Sequence, residues 1–404
     1  MAEPTTRERA YRLRCYPSAR QRRVLGRLFG ASRFVWNWGL ALRTSAYRAD
    51  QRRLNWISLS REFTALRQAP ETHWLAELPR EPFNQVLRDQ ERAFQNFLAR
   101  RARYPRFRRR GGRERVRFTL DQRRAQVERE ATHRWAFVDL PGLGRIKLRR
   151  SESLEGRLRS VTLSRDWAGR YFASLCADQV SQAVWPEPQC EVVGIDLGLR
   201  DLAVVSDGAH VHTLRAPKAL QLKLTGLRRY QRRQSRQVAA QMRAQGLDPT
   251  KPCPKGVRLG MSRRRARTRA RVARLHGRIG DLRRDALHRV STALVGQARI
   301  LVLEDLNVKA PARRGHCRGF RRAMADAALE DLRRQSRDTP AWAARQVSEI
   351  DRRHPSSPRG FEFGTAHTAL SSAKRGECPV CRVSHDRDEN APKTIPAEGG
   401  DRSP

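Results

Sequence analysis

Three acidic positions stand where a carboxylate is costly. In Gly194-Ile195-Asp196-Leu197-Gly198 an aspartate is embedded in an apolar, strand-like run between glycines. A charge in such a run needs a cation to neutralise it. Glu304 closes the run Ile300-Leu301-Val302-Leu303, and the stretch His385-Asp386-Arg387-Asp388-Glu389-Asn390-Ala391 supplies further acids near the C-terminus. Hard carboxylate oxygens suit Mg²⁺, which keeps several waters and so needs only two or three acids. Two such ions shared by carboxylates stabilise both the attacking and the leaving oxygen when a phosphodiester is hydrolysed. Singly, each acid reads more readily as a cap or turn former; the trio, coming from three distant segments, points to one metal site. Nucleophilic or nucleotide-hydrolysing alternatives lack their motifs: there is no G-x-S-x-G elbow and no Gly-rich loop ending in Lys-Ser/Thr.

The surroundings of those acids are basic. In 404 residues, 84 Lys and Arg oppose 41 Asp and Glu, a net charge of +43, and 76 of the 84 are Arg. Such a balance expects phosphates as partners. With 39% hydrophobic residues and 27 aromatics the chain can bury a core and is not a disordered basic tail. The N-terminus has no apolar signal region and no stretch approaches the roughly 18 apolar residues of a membrane span, so the expected location is cytoplasmic and nucleoid-associated, with no membrane partner. Cys15, Cys176, Cys190, Cys253 and Cys317 are scattered singly and only Cys378 and Cys381 form a CxxC, which argues against a disulfide framework.

Several elements must position the acids. Residues 10–17 alternate as a strand, and Ser18 with Gln21 makes a capping box for a helix bearing Val24, Leu25, Leu28 and Phe29 on one face. Helical spacing continues to about residue 104, with Phe83, Leu87, Gln90, Phe94, Phe97 and Leu98 on one stripe before the Tyr104-Pro105 break. Strand patterns follow at 135–140, 144–148, 160–165 and 171–177, then again at VVGIDLGL, DLAVVSDG and HVHTL. The basic helical region after them is interrupted at 246–256. Its second half places Val272, Leu275, Ile279, Leu282 and Ala286 on one stripe and fills the rest with Arg, with Arg263, Arg264, Arg267, Arg271 and Arg274 as candidate phosphate contacts. Phe34, Trp36 and Trp38 could stack on bases, although core packing suits their spacing better. Tyr11, Tyr16 and Tyr104 lack the His-hydrophobe-His partner of a transposase-like tyrosine nucleophile.

The order and wording of these segments resemble the TnpB (OrfB) family of insertion-sequence proteins, RNA-guided DNA endonucleases related to type V CRISPR effectors. AYRLRCYPSARQRRVLGRLFGASRFVWNWGLAL is similar to the family's helix-turn-helix segment, RYPRFRRRGG and DLPGLGRIKL to its wedge-like β module, and GIDLGLRDLAVVSDG, LVLEDLNVKAP and HDRDENA to its RuvC blocks. The resemblance implies an α/β multidomain fold: a β-barrel-like module (1–20 with 105–190) with an inserted helical recognition domain (21–104), then an RNase H-like RuvC domain (191–350 with 385–395) carrying a degenerate zinc-ribbon insert (351–384), and a disordered tail (396–404). It also implies a guide RNA from the element's end, double-stranded target DNA, and Mg²⁺, two ions, on Asp196, Glu304 and Asp388, with Asp386 as the alternative third ligand. A heteroduplex read by shape and backbone fits the Arg-rich composition.

The chain departs from that pattern in its ribbon. Gly360 and Phe363 stand where the first cysteine pair belongs, leaving Cys378 and Cys381, with His367 and His385 as possible completions; two thiolates do not close a tetrahedral zinc site. Zinc is therefore expected to be weakly bound or absent. Pro392 follows the Asn-Ala pair and bears on how Asp388 is presented. Two rival readings follow: a catalytically impaired, repressor-like RNA-guided DNA-binding protein, and an inactive mobile-element remnant that still binds nucleic acid.

Overall fold

A computed structural model describes residues 7–111, 114–120, 128–129, 134–180, 185, 187–198, 201–215, 218–254, 256–304, 327–342, 345–350, 375–377 and 384–386. The chain is a mixed α/β protein that divides into two compact units, Met1–Ser181 and Gln182–Pro404.

In the first unit, β1 (Arg7–Cys15) leaves the sheet into helices and the chain returns to it a hundred residues later. Alternation along β1 buries Tyr11, Leu13 and Cys15 and turns Arg12 and Arg14 to the other face, where both guanidiniums lie over the Phe172 ring, at 4.2 and 5.2 Å. The strand sits mid-sheet in the order β2-β6-β7-β1-β5-β4-β3, every pairing antiparallel, with β2 (Glu114–Thr119), β3 (Glu128–Arg129), β4 (Trp135–Leu140), β5 (Gly144–Arg149), β6 (Arg157–Arg165) and β7 (Tyr171–Val180). Among the described residues no pairing joins β2 to β3, so the ladder is open at those edges. The helices are α1 (Ala19–Asp50), α2 (Trp56–Gln68) and α3 (Glu81–Leu98), with a 3₁₀ turn at Pro70–Leu75. The capping box at Ser18 forms in full: Gln21 N–H donates to Ser18 Oγ at 3.2 Å and Ser18 N–H to Gln21 Oε1 at 2.8 Å. The expected face holds for Leu25, Leu28 and Phe29, which are buried. Helix α3 stops at Leu98 rather than running to Tyr104.

The second unit carries the five-stranded sheet β10-β9-β8-β11-β12. Here β8 (Cys190–Asp196), β9 (Asp201–Ser206) and β10 (Val211–Arg215) form an antiparallel meander, while β11 (Ala298–Glu304) and β12 (Gln346–Ile350) run parallel to β8. The crossover from β10 to β11 is the pair α4 (Ala219–Arg243) and α5 (Arg263–Gln297). Leu287, Leu294 and Val295 of α5 close over Val193, Ile195, Leu301 and Leu303 of the sheet, together with Leu329 and Leu332 of α6 (Leu329–Trp342). A short hairpin, β13 (Arg375–Glu377) with β14 (Ser384–Asp386), completes the described residues.

Candidate active site

Burial on both faces makes β8 and β11 central strands, which is why each reads as a nearly continuous apolar run. Their parallel register sets Val302 opposite Gly194 and Leu303 opposite Ile195. The next residue on each strand is Glu304 and Asp196, so the two acids occupy adjacent positions on neighbouring strands about 4.8 Å apart. Both lie at the C-terminal ends of parallel strands, the edge where open α/β sheets gather their ligands. Asp196 is half-buried, with Val204 of β9 its register partner on the other side.

A tight return follows at once. Gly198 N–H donates to Leu202 O at 3.3 Å, and a Cβ on Gly198 would lie 2.8 Å from Asp201 O. Backbone therefore passes where a side chain would stand, which fixes the end of β8 against the start of β9.

Asp388, Cys378, Cys381 and His367 lie outside the described residues, while Asp386 ends β14 opposite Arg375 and His385 stands opposite Gly376. Among the described residues no group of three or more His, Cys, Asp or Glu is placed to hold a metal ion.

Glu349, which the sequence reading did not single out, lies on β12 in register with Leu303. Arg333 donates to it at 3.1 Å and Arg337 grips both of its oxygens. Burial pushes this carboxyl up, but the hydrogen bonds from Arg337 and Arg333 prevail and hold it below its ordinary value. An acid so committed pins α6 to the sheet edge and is no spare ligand.

Arg263, Arg264, Arg267, Arg271 and Arg274 are all exposed on α5, and none pairs with a carboxylate among the described residues. The opposite face carries buried Ile279, which packs with Val272 and Leu275 against Ala219 and Leu227 of α4; Leu282, expected on that stripe, is exposed. Helix α4 adds Arg229, Arg233 and Arg236 around a hollow of about 500 Å³ floored by Tyr230, Gln237 and Ala240. Their spacing of three to four in LRRYQRRQSRQ was the available signal.

Of the aromatic candidates of α1, Trp36 is buried, Trp38 is half-buried and Phe34 is exposed. Trp36 donates from Nε1 to Arg106 O at 3.0 Å, Phe34 meets Trp74 edge-on at 5.7 Å, and Trp38 lies 6.0 Å from Phe63. Tyr11 is fully buried, its hydroxyl accepting from Glu155 N–H at 3.2 Å. Tyr16 stands edge-on to Trp135 at 5.6 Å, and the Tyr104 hydroxyl is 3.0 Å from Thr44 Oγ1.

Known proteins resemble this chain along nearly its whole length. Residues 174–315 match a family described as "Probable transposase" and residues 5–52 match that family's "Helix-turn-helix domain". A Streptomyces pristinaespiralis protein named "Putative RNA-guided DNA endonuclease" is 34% identical over 396 residues, 97% of this chain and 89% of that one. The similarly named InsQ of Escherichia coli K12 is 28% identical over 409 residues, 97% and 92% of the two chains. Among solved structures, the protein of a Cas12f1–sgRNA–target DNA complex superposes with a TM-score of 0.51 at 10% identity, covering 96% of this chain and 98% of that one, a likeness of fold alone.

Proposed function

Because the chain belongs to the TnpB (OrfB) family of insertion-sequence proteins, we propose that it is an RNA-guided DNA endonuclease whose RNase H-like RuvC centre cuts phosphodiesters with Mg²⁺ on Asp196, Glu304 and Asp388. The observation that carries the reading is the strand register, which brings two acids 108 positions apart in sequence to neighbouring strand ends. An aspartate and a glutamate at adjacent strand-end positions offer the hard-oxygen donor chemistry that Mg²⁺ accepts, so these residue types fit the ion. When bound, Mg²⁺ supplies charge stabilisation to the attacking and leaving oxygens. The chain's own contribution is to hold the donors still: buried Ile195 and Leu303 anchor the strands below them, and the Gly198 turn stops β8 from sliding.

The mixed sheet with its helical crossover supports the RNase H-like reading, and the exposed arginines of α4 and α5 support contact with sugar–phosphate backbone. Guide RNA pairing would carry sequence choice on double-stranded DNA. In this reading residues 1–20 with 105–190 form the wedge-like module, 21–104 the recognition helices, 191–350 with 385–395 the nuclease and 351–384 the remnant ribbon, with zinc weakly held or absent.

The deciding experiment loads the chain with RNA from its own element end and offers duplex DNA matching the guide. Cutting should need Mg²⁺, and Asp196→Asn should abolish it while leaving DNA affinity within about twofold, since a lost ligand removes transition-state stabilisation and not phosphate contacts. Equal cutting by variant and parent would sink the assignment. A second reading, an RNA-guided DNA binder that does not cut, is favoured by the missing cysteines at Gly360 and Phe363; guide-dependent binding by the parent without cleavage would select it.

A further inference from the structure

The first unit contains a cavity of about 590 Å³ between the C-terminal turns of α1 and α3 and the start of α2. Its walls are rings that turn away from the core. Phe94, Phe97 and Leu98 continue the stripe of Phe83, Leu87 and Gln90, yet of the six only Phe83, Leu87 and Gln90 are buried; Phe94 and Phe97 are half-buried and Leu98 is exposed. Tyr104 stands nearly perpendicular to Phe94 and Phe97, at 87° and 86°, with centroids 5.6 and 5.2 Å away. Its hydrogen bond to Thr44 locks that ring. Tyr47 and Tyr104 remain 47% and 44% exposed.

The charges are divided. In the wall, Arg43 is buried and paired with Glu91 at 2.5 Å, so its charge is matched. At the opening, Arg48, Arg52 and Arg53 are exposed and meet no carboxylate among the described residues. Asn55 caps α2 by accepting Ser58 N–H on its Oδ1 at 2.8 Å, which leaves its amide hydrogens available to a ligand.

Backbone strain is concentrated at the same place. Of the three non-glycine residues with positive φ among those described, Gln51 (φ 53°) ends α1 and Arg100 (φ 55°) ends α3. Such a conformation costs a side-chain-bearing residue roughly 1–2 kcal/mol. Here it turns Arg52-Arg53-Leu54 and Tyr104 back to line the cavity, with Arg52 N–H donating to Ala46 O and Ala102 N–H to Asn96 O.

We infer that this cavity takes one unstacked base of a single-stranded nucleic acid, the base against Tyr47, Phe94 and Tyr104 and its phosphate among Arg48, Arg52 and Arg53. A nucleobase has flat apolar faces and polar edges and carries an anion beside it, which matches ring walls, an amide donor and an unmatched cationic rim. The volume falls in the range of single small-ligand sites, roughly 300–1,000 Å³. The choice of a nucleotide rests on the nucleic-acid role proposed above.

The test irradiates the purified full-length chain with 5-iodouracil-bearing single strands, one RNA and one DNA, and maps the adducts by mass spectrometry. Adducts on Tyr47, Phe94, Phe97 or Tyr104 are expected, and the strand that gives them identifies the source of the base. In parallel, Tyr47→Ala should weaken binding of a base-bearing strand roughly tenfold, the size of one lost stack, and leave an abasic strand of equal length unaffected. Adducts only at other residues would overturn the inference, as would equal losses on both strands. The cross-link is made on the parent protein, so a variant that folds poorly does not touch it. Because cutting is not read, a chain that cleaves nothing but gives these adducts keeps this site and loses the nuclease reading.

Discussion

Single side chains carry opposite pH signatures. Burial pushes the Cys15 thiol up to about 12, the Arg14 charge pulling the other way without prevailing, whereas Cys253 is exposed. A maleimide at pH 8 should therefore label Cys253 in the folded chain and reach Cys15 only after denaturation, as peptide mapping would read; rapid labelling of Cys15 in native protein would contradict this burial. Since the unfolded thiol ionises near 9.0 and the folded one near 12, stability falls as pH rises between those values, and Cys15→Ala should flatten that alkaline slope. Glu349 runs the other way: its folded value lies below the ordinary 4.5, so its contribution is present above 4.5 and is lost as pH falls through the folded value. Glu349→Gln should make acid unfolding less steep there, measured by circular dichroism. Asp196 stood out in the sequence as a candidate because a carboxylate inside an apolar run is costly without a cation. Glu349 did not, because its meaning lies in Arg333 and Arg337, on a helix whose docking no local pattern reveals.

At the level of elements, β2, β3 and β12 went unread, but β1, β4 to β11 and the cap of α1 were written locally, in alternation, apolar runs, glycine turns and the Ser18-Gln21 pair. Their partnering was not: Glu304 comes to stand beside Asp196 through the α4–α5 crossover and its packing on the sheet. The α3 stripe misled at its end, because periodicity reports apolar spacing and not whether a neighbour arrives to cover it. Gly39 shows how closely α1 and α3 meet. A Cβ there would lie 2.9 Å from Gln90 Oε1 and 3.6 Å from Leu59 Cδ1, and fully buried Gln90 is held by its bond to Trp36 O at 2.8 Å. Alanine would gain about 1 kcal/mol of helix propensity, but overpacking costs about 1–3 kcal/mol. Gly39→Ala should thus lower stability by a net ~1 kcal/mol in urea titration; a stabilised variant would mean that the helices slide apart freely. By the same reasoning Gly198→Ala should slow cutting more than it weakens DNA binding, since it displaces the turn beyond Asp196.

For the molecule as a whole, a charge of +43 makes affinity a function of salt. The log–log slope should be roughly −0.9 per phosphate neutralised on duplex and −0.7 on single strands, and replacing Arg263, Arg267 and Arg271 together by alanine should reduce its magnitude by roughly one for each arginine in contact. An unchanged slope in fluorescence anisotropy would take α5 out of the interface. Metal analysis after dialysis should find less than one zinc per chain, because Cys378 and Cys381 supply half a shell; one stoichiometric zinc lost in Cys378→Ser would reverse that expectation. Among the described residues no helix is long and apolar enough to cross a membrane. The placing of β1 between β5 and β7, with Arg14 opposite Arg149 and Arg7 opposite Val180, also sets an order of events during synthesis. The strand made first is among the last to find both partners, and pairings so distant in sequence form slowly. Helices α1 to α3 can pack while β1 waits with bare edges, a state prone to association. A chain stopped after β6 would keep that strand open towards the missing β7 and should aggregate, whereas one reaching Ser181 can close the seven-stranded sheet, so the moment of greatest risk on the ribosome ends when β7 emerges.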